Sequence, residues 1–225
     1  MSKWINRTVL SGASVAANGT TSHTCTFTPA TSGNFLVAVV AGAVTFTTPS
    51  GWSLSDFMVG NAGLYVFYKT ATSGESSFST THNGSNYAIQ GVVYEFQAGT
   101  TYLGGESTAS SSMTLNAPTV TGLTGTYSRF SARGWGQSTS GAVTSCAWTL
   151  PAIEDYDVTV PAASQDGIFL TIAYDDGATG SSFTANSTMT TNQSGSGEAI
   201  AFALTVVDPP AAVIPINWIT GINSP

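Results

Sequence analysis

Apolar positions along this chain recur with a period of two or in unbroken runs of five to ten residues, and nowhere do ten or more residues carry the roughly 3.6-residue spacing of an amphipathic helix. The pattern predicts an all-β fold. Strands are expected over 21–27, 35–41, 64–70, 76–81, 88–96, 128–135, 168–174, 181–185 and 199–207. Turn-forming clusters separate them, among them Pro49-Ser50-Gly51, Ser73-Gly74, Asn83-Gly84 and Asp176-Gly177. Within 64–69 the alternation sets Leu64, Val66 and Tyr68 against Tyr65, Phe67 and Lys69, which reads as one inward row and one half-polar outer row of a sandwich sheet.

The second half of the chain echoes the first. Phe35-Leu-Val-Ala-Val precedes Trp52-Ser-Leu, and Phe130-Ser-Ala-Arg-Gly precedes Trp148-Thr-Leu at nearly the same interval. Leu64-Tyr-Val-Phe-Tyr68 is answered by Ile168-Phe-Leu-Thr-Ile-Ala-Tyr174, Ser76-Ser-Phe78 by Ser181-Ser-Phe183, and Ala88-Ile by Ala199-Ile. Landmarks repeated in one order predict an internal duplication: one antiparallel, jelly-roll-like β-sandwich domain over 1–98 and another over 103–208. A single larger sandwich with a shared core is the alternative. Trp52 and Trp148 are expected in equivalent, mostly buried places.

Residues 209–225 fall outside the repeat and form an expected C-terminal arm. Pro209, Pro210 and Pro215 exclude a regular helix and favour an extended path. Val213, Ile214, Ile216, Trp218, Ile219 and Ile222 are nevertheless too apolar for a solvated tail. These six are the candidate partner-binding residues, seated either on a neighbouring subunit or across their own domain.

Composition narrows the function classes. Only 8% of the residues are charged, while 29 Ser and 34 Thr supply the polar surface, a Thr-rich strand composition. The net charge is −7, and the five cations, Lys3, Arg7, Lys69, Arg129 and Arg133, are scattered. Binding to nucleic acid or to an anionic membrane surface needs clustered cations, so neither partner is expected. The longest apolar run, 35–44, is about half the length of a membrane-spanning helix. Met1-Ser-Lys-Trp-Ile-Asn-Arg-Thr has no apolar core before a cleavage site, so classical secretion is not signalled and Cys25 and Cys146 are expected as free, buried thiols.

Candidate chemistry is sparse. The chain has no nucleophile elbow, no phosphate-cradling glycine loop with lysine and no His-Glu-x-x-His. Its two histidines fall in a strand (His23) and beside an Asn83-Gly84 turn (His82), and each is expected to be structural or solvent-exposed. Glu154-Asp155-Tyr156-Asp157 and Asp175-Asp176-Gly177 are the local acidic clusters. Neither has the spacing of a dedicated calcium loop, and the second reads as a turn. No catalytic residue, metal or cofactor is therefore expected. Trp4, Tyr87, Tyr102, Tyr127, Trp135 and Tyr156 are the aromatics from which a glycan-stacking surface could be built.

The string Pro49-Ser-Gly-Trp-Ser-Leu, followed by Leu64-Tyr-Val-Phe-Tyr-Lys-Thr-Ala and Ser73-Gly-Glu-Ser-Ser, resembles β-sandwich structural proteins of tailed bacteriophages. The second half keeps a weaker echo, without the Pro-x-Gly before Trp148, the Lys after Tyr174 or the Gly-Glu pair. The resemblance implies a non-enzymatic virion component, either a capsid decoration or head-fibre protein or a tail protein. Such a protein would be made in the host cytoplasm and would assemble as a homo-oligomer with other capsid or tail subunits. It implies no functional residues to carry over. Weak glycan binding is compatible with that role, and a carbohydrate-binding module or lectin-like adhesin is the alternative function.

Overall fold

The computed structural model describes residues 4–14, 20–42, 44–58, 63–83, 88–110, 114–115, 118–137, 143–149, 153–160, 167–184, 187–191 and 196–208. They form antiparallel strands and no helix. The first half contributes β1 (Trp4–Ser14), β2 (Thr20–Thr26), β3 (Phe35–Gly42), β4 (Phe46–Thr47), β5 (Ser53–Met58), β6 (Gly63–Thr70), β7 (Ser77–Asn83) and β8 (Ala88–Phe96). The second contributes β9 (Thr101–Ser110), β10 (Thr114–Leu115), β11 (Val120–Thr121), β12 (Tyr127–Gln137), β13 (Val143–Trp148), β14 (Ile153–Val160), β15 (Gly167–Ala178), β16 (Ser182–Phe183), β17 (Ser187–Thr191) and β18 (Ser196–Thr205).

Every sheet draws its strands from one half. The first half builds a five-stranded sheet, β1-β8-β3-β6-β5, and a three-stranded sheet, β2-β7-β4. The second builds a five-stranded sheet, β9-β18-β12-β15-β14, with β10-β17-β13 and the short pair β11-β16. Written in this direction, the two large sheets follow the same plan. A turn closed by the Thr100 N–H on the Gln97 carbonyl joins β8 to β9.

The layers stack in the order small sheet, large sheet, large sheet, small sheets. Between the first small and large sheets lies a core of Leu36, Ala38, Val40, Phe46, Trp52, Tyr65, Phe67, Phe78 and their neighbours. In the second half, Val120, Leu123, Tyr127, Phe183 and Ala203 pack together, as do Trp135, Cys146 and Phe169. The most extensive core lies between the two large sheets. Val37, Val39, Leu64, Val66, Tyr94 and Phe96 of the first half meet Phe130, Ile168, Leu170, Ile172, Phe202 and Leu204 of the second.

This central layer explains the unbroken apolar runs. Antiparallel strands usually wet one face, but β3 and β8 are buried at every residue because each is covered on both sides. The expectation of a half-polar outer row on β6 is corrected accordingly. Tyr65 and Phe67, at 2% and 0% exposure, fill the first half's own core, while Leu64 and Val66 fill the layer between the halves. Lys69 alone keeps the polar character, reaching Glu75 at 2.7 Å and lying over the Trp52 ring.

Across the central layer β1 lies against β14, β8 against β15, β3 against β12, β6 against β18 and β5 against β9. Under the shared plan these contacts exchange corresponding strands, as a twofold axis through β3 and β12 requires. Polar ties hold both edges. Arg7 Nη1 donates to the Asp155 carboxylate and carbonyl, each at 2.8 Å, and the Tyr94 hydroxyl donates to the other Asp155 oxygen at 2.7 Å. At the opposite edge Ser55 hydrogen-bonds the Tyr102 hydroxyl, Tyr102 stacks on Tyr68, and the Ser107 hydroxyl reaches the Phe57 carbonyl.

Candidate functional site

The tertiary fold joins the two histidines. His82 is the sixth residue of β7, which replaces the expected turn with a strand, and at 1% exposure it takes the structural of its two expected roles. In the β2–β7 register Thr21 pairs with His82 and His23 with Thr80, so His23 and His82 are diagonal neighbours on one face. That face also carries Cys25 and Phe78, and it turns toward the core. The physical reason is the period of two: Phe78, Thr80 and His82 continue one inward row, and the strand runs one residue past His82.

The two Nε2 atoms are 2.8 Å apart. The ring centroids, at 4.9 Å, are only about 2 Å farther apart than these nitrogens, and the ring planes differ by 16°. The imidazoles therefore lie nearly end to end in one plane, with one Nε2 donating its proton to the other. Burial, followed by the charge His82 would carry, pulls the His23 pKa down to about 4. Phe46 closes the site edge-on to His82, and the neighbouring Cys25 thiol is pushed up by burial. Among the described residues no three His, Cys, Asp or Glu side chains converge to hold a metal ion.

The described members of the acidic clusters take structural places. Asp155 ties the halves together as described above. Asp175-Asp176-Gly177 is not a chain reversal, because β15 continues through it to Ala178. The turn chemistry of this triplet produces a bulge instead: the register slips between Tyr127 and Arg129, opposite Gly177, whose φ of 69° lies in the left-handed region. Arg129 pairs with Asp175, and the Ser128 hydroxyl donates to Asp176 at 2.8 Å. A cleft of about 150 Å³ beside this bulge, lined by Tyr127, Ser128, Gly177, Val206 and Asp208, is smaller than a site for a drug-sized ligand.

Of the aromatics considered for glycan stacking, the four that are described, Trp4, Tyr102, Tyr127 and Trp135, do not share a surface. Trp135 and Tyr127 are each 1% exposed, since both face the second half's small sheets. Trp4 packs edge-on against Tyr94 and Tyr174, and Tyr102 stacks on Tyr68. Tyr87 and the side chain of Tyr156 lie outside the described residues. Trp52 is 8% exposed just before β5, whereas Trp148 ends β13 half-buried, with its Nε1 donating to the Thr171 hydroxyl at 3.0 Å. Both indoles are thus mostly buried, Trp52 more completely.

Outward positions of the first small sheet are hydroxyls: Ser22, Thr24 and Thr26 on β2, Ser77 and Ser79 on β7, and Thr47 on β4 are exposed. Ser79 bridges Ser22 at 3.0 Å and Thr24 at 2.9 Å. Cys25 and Cys146 form no disulfide and are buried in separate halves. All six candidate partner-binding residues, Val213, Ile214, Ile216, Trp218, Ile219 and Ile222, lie outside the described residues.

The class this geometry defines is an all-β protein of packed antiparallel sheets. No family model, no curated protein and no solved structure matches the chain.

Proposed function

We propose that this chain is a non-enzymatic structural component of a tailed-phage virion, either a capsid decoration or head-fibre protein or a tail protein, held in place by protein–protein contacts. The observation that carries the reading is a four-layer block with a polar tie at each edge of its central layer, followed after Asp208 by an apolar segment. A block buried on both faces of its inner strands resists deformation, and its hydroxyl-rich outer sheet contributes no charge to repel copies of itself. The matching strand order of the large sheets supports descent of the two halves from one duplicated sandwich. In this reading the chain assembles as a homo-oligomer on capsid or tail subunits through Val213, Ile214, Ile216, Trp218, Ile219 and Ile222. Burying four or five such side chains at about 1.5–3 kcal/mol each leaves several kcal/mol for docking once ordering costs are met.

The test is deletion of residues 209–225. The truncated protein is expected to keep its melting temperature within a few degrees and to be lost from particles purified from the encoding phage. Truncation that unfolds the second half overturns the docking role. Particles that lack the full-length chain by mass spectrometry overturn the virion reading itself.

A further inference from the structure

We propose that the His23–His82 pair is an acid-operated latch: while neutral, the two rings share one proton and close the β2-β7-β4 sheet on the large sheet beneath it, and on acidification they part and release that sheet.

The geometry permits one proton between the two nitrogens. With both imidazoles neutral, one Nε2–H donates to the other Nε2 along the 2.8 Å line. A first added proton enters at a Nδ1, keeps this bond and leaves one positive charge in the layer. A second places two N–H groups head to head, and the bond is lost. The described groups around His23 are mostly apolar or uncharged. On β2 the facing titratable group is Cys25, on β4 the contact is Phe46, and on β7 the neighbours in the row are Thr80 and Phe78. From the large sheet come Tyr65, which packs against Phe46, and the apolar Leu10, Leu36, Ala38 and Val40. Cys25 and Tyr65 are both pushed up by burial and stay uncharged, and the buried carboxylate on this face of the large sheet, Glu95 beside Leu36, is engaged by Asn6, Thr31 and Asn34.

The sign follows from comparing the closed and released states. A released imidazole titrates near its ordinary value of about 6.5, whereas closed His23 accepts a proton only near pH 4. Between these values the released state binds a proton that the closed state refuses, so acid favours release by up to about tenfold per pH unit. The small sheet, with a two-residue β4 at one edge, is the element free to respond. The large sheets are held by the central core and by the ties at Asp155 and Tyr102.

The chain has only two histidines, so the experiment is clean. Ring Cε1–H signals of the full-length protein would be followed by NMR from pH 7.5 to 4. Amide exchange of β2 and β7 peptides, corrected for intrinsic rates, would be measured against β12 and β15 peptides. One ring is expected to titrate well below 6, and the β2 and β7 amides to lose protection roughly thirtyfold between pH 6.5 and 4.5 while β12 and β15 hold. The double substitution His23→Gln with His82→Gln, a non-titrating pair of amides, is expected to abolish this pH dependence. Both rings titrating at ordinary values, unchanged β2 and β7 protection, or an identical transition in the double variant overturns the latch. If the double variant does not fold, ring titration and exchange of the native protein decide alone.

Discussion

Phe130 makes the interface between the halves measurable. It is 1% exposed, and its ring is clasped from both sides of the central layer. From the first half come Phe96 at 5.7 Å, edge-on, and Tyr94 at 6.1 Å, while its own half supplies Phe202, stacked at 5.2 Å, and Tyr174 at 6.1 Å. Truncating a buried Phe to Ala typically costs about 3–5 kcal/mol in lost transfer energy and cavity. Aromatic pairs add about 0.5–1.5 kcal/mol each beyond burial, so four such neighbours keep Phe130→Ala clear of the lower end, at about 4 kcal/mol. Two of the four neighbours belong to the other half, so roughly half of the pairwise loss should fall on the coupling between halves. The assay is urea denaturation with hydrogen exchange read separately on β8 and β12 peptides. At a slope of about 2 kcal/mol/M, the variant's midpoint should drop by about 2 M, with both peptides losing protection together. If β12 weakens while β8 keeps its native midpoint, the halves are energetically independent and the central layer is a docking contact. A total cost below about 1 kcal/mol would refute the packing argument.

Three further substitutions probe other parts of the fold. Glu95 is 5% exposed and accepts hydrogen bonds from Asn6 Nδ2 (2.9 Å), the Thr31 amide (3.1 Å) and Asn34 Nδ2 (2.7 Å). Glu95→Gln must turn an NH₂ toward one of these donors and should cost about 1–3 kcal/mol in a thermal melt, with partial recovery when Asn6→Asp is added. Gly91 sits in β8 where an added Cβ would stand 2.9 Å from the Val39 carbonyl oxygen, so Gly91→Ala should lose about 1–3 kcal/mol, and a neutral result would mean that β3 and β8 are less tightly paired. Burial raises the Glu75 carboxyl, but hydrogen bonds from Lys69 and Thr72 outweigh it, and the pKa lies below the ordinary value. A depressed folded-state pKa adds stability above the unfolded value of about 4.5 and loses it as pH falls through the folded one. Glu75→Gln should therefore cost about 1 kcal/mol or less at pH 7 and less at pH 3 than at pH 7, which melts at the two pH values can check.

How much of this was legible in the sequence depends on burial. The six inner strands, β3, β6, β8, β12, β15 and β18, announce themselves because both their faces are covered and nearly every position is apolar or small. Edge strands have no such signature. β9, Thr-Tyr-Leu-Gly-Gly-Glu-Ser-Thr-Ala-Ser, and β14, Ile-Glu-Asp-Tyr-Asp-Val-Thr-Val, are paired on one side only and carry polar residues and glycines that a period-two reading passes over. The recurrence of Phe35 and Phe130, and of Tyr68 and Tyr174, marked matching places in two sheets but could not say that those sheets face each other. Both rows of β6 are apolar, and alternation alone does not reveal whether the second row meets water or another sheet. The histidines show the same division. The period of two was enough to set His23 and Cys25 on one row and Phe78 and His82 on another. Only the β2–β7 register, set by which rows the fold buries, brought two imidazole nitrogens 59 residues apart to hydrogen-bonding distance.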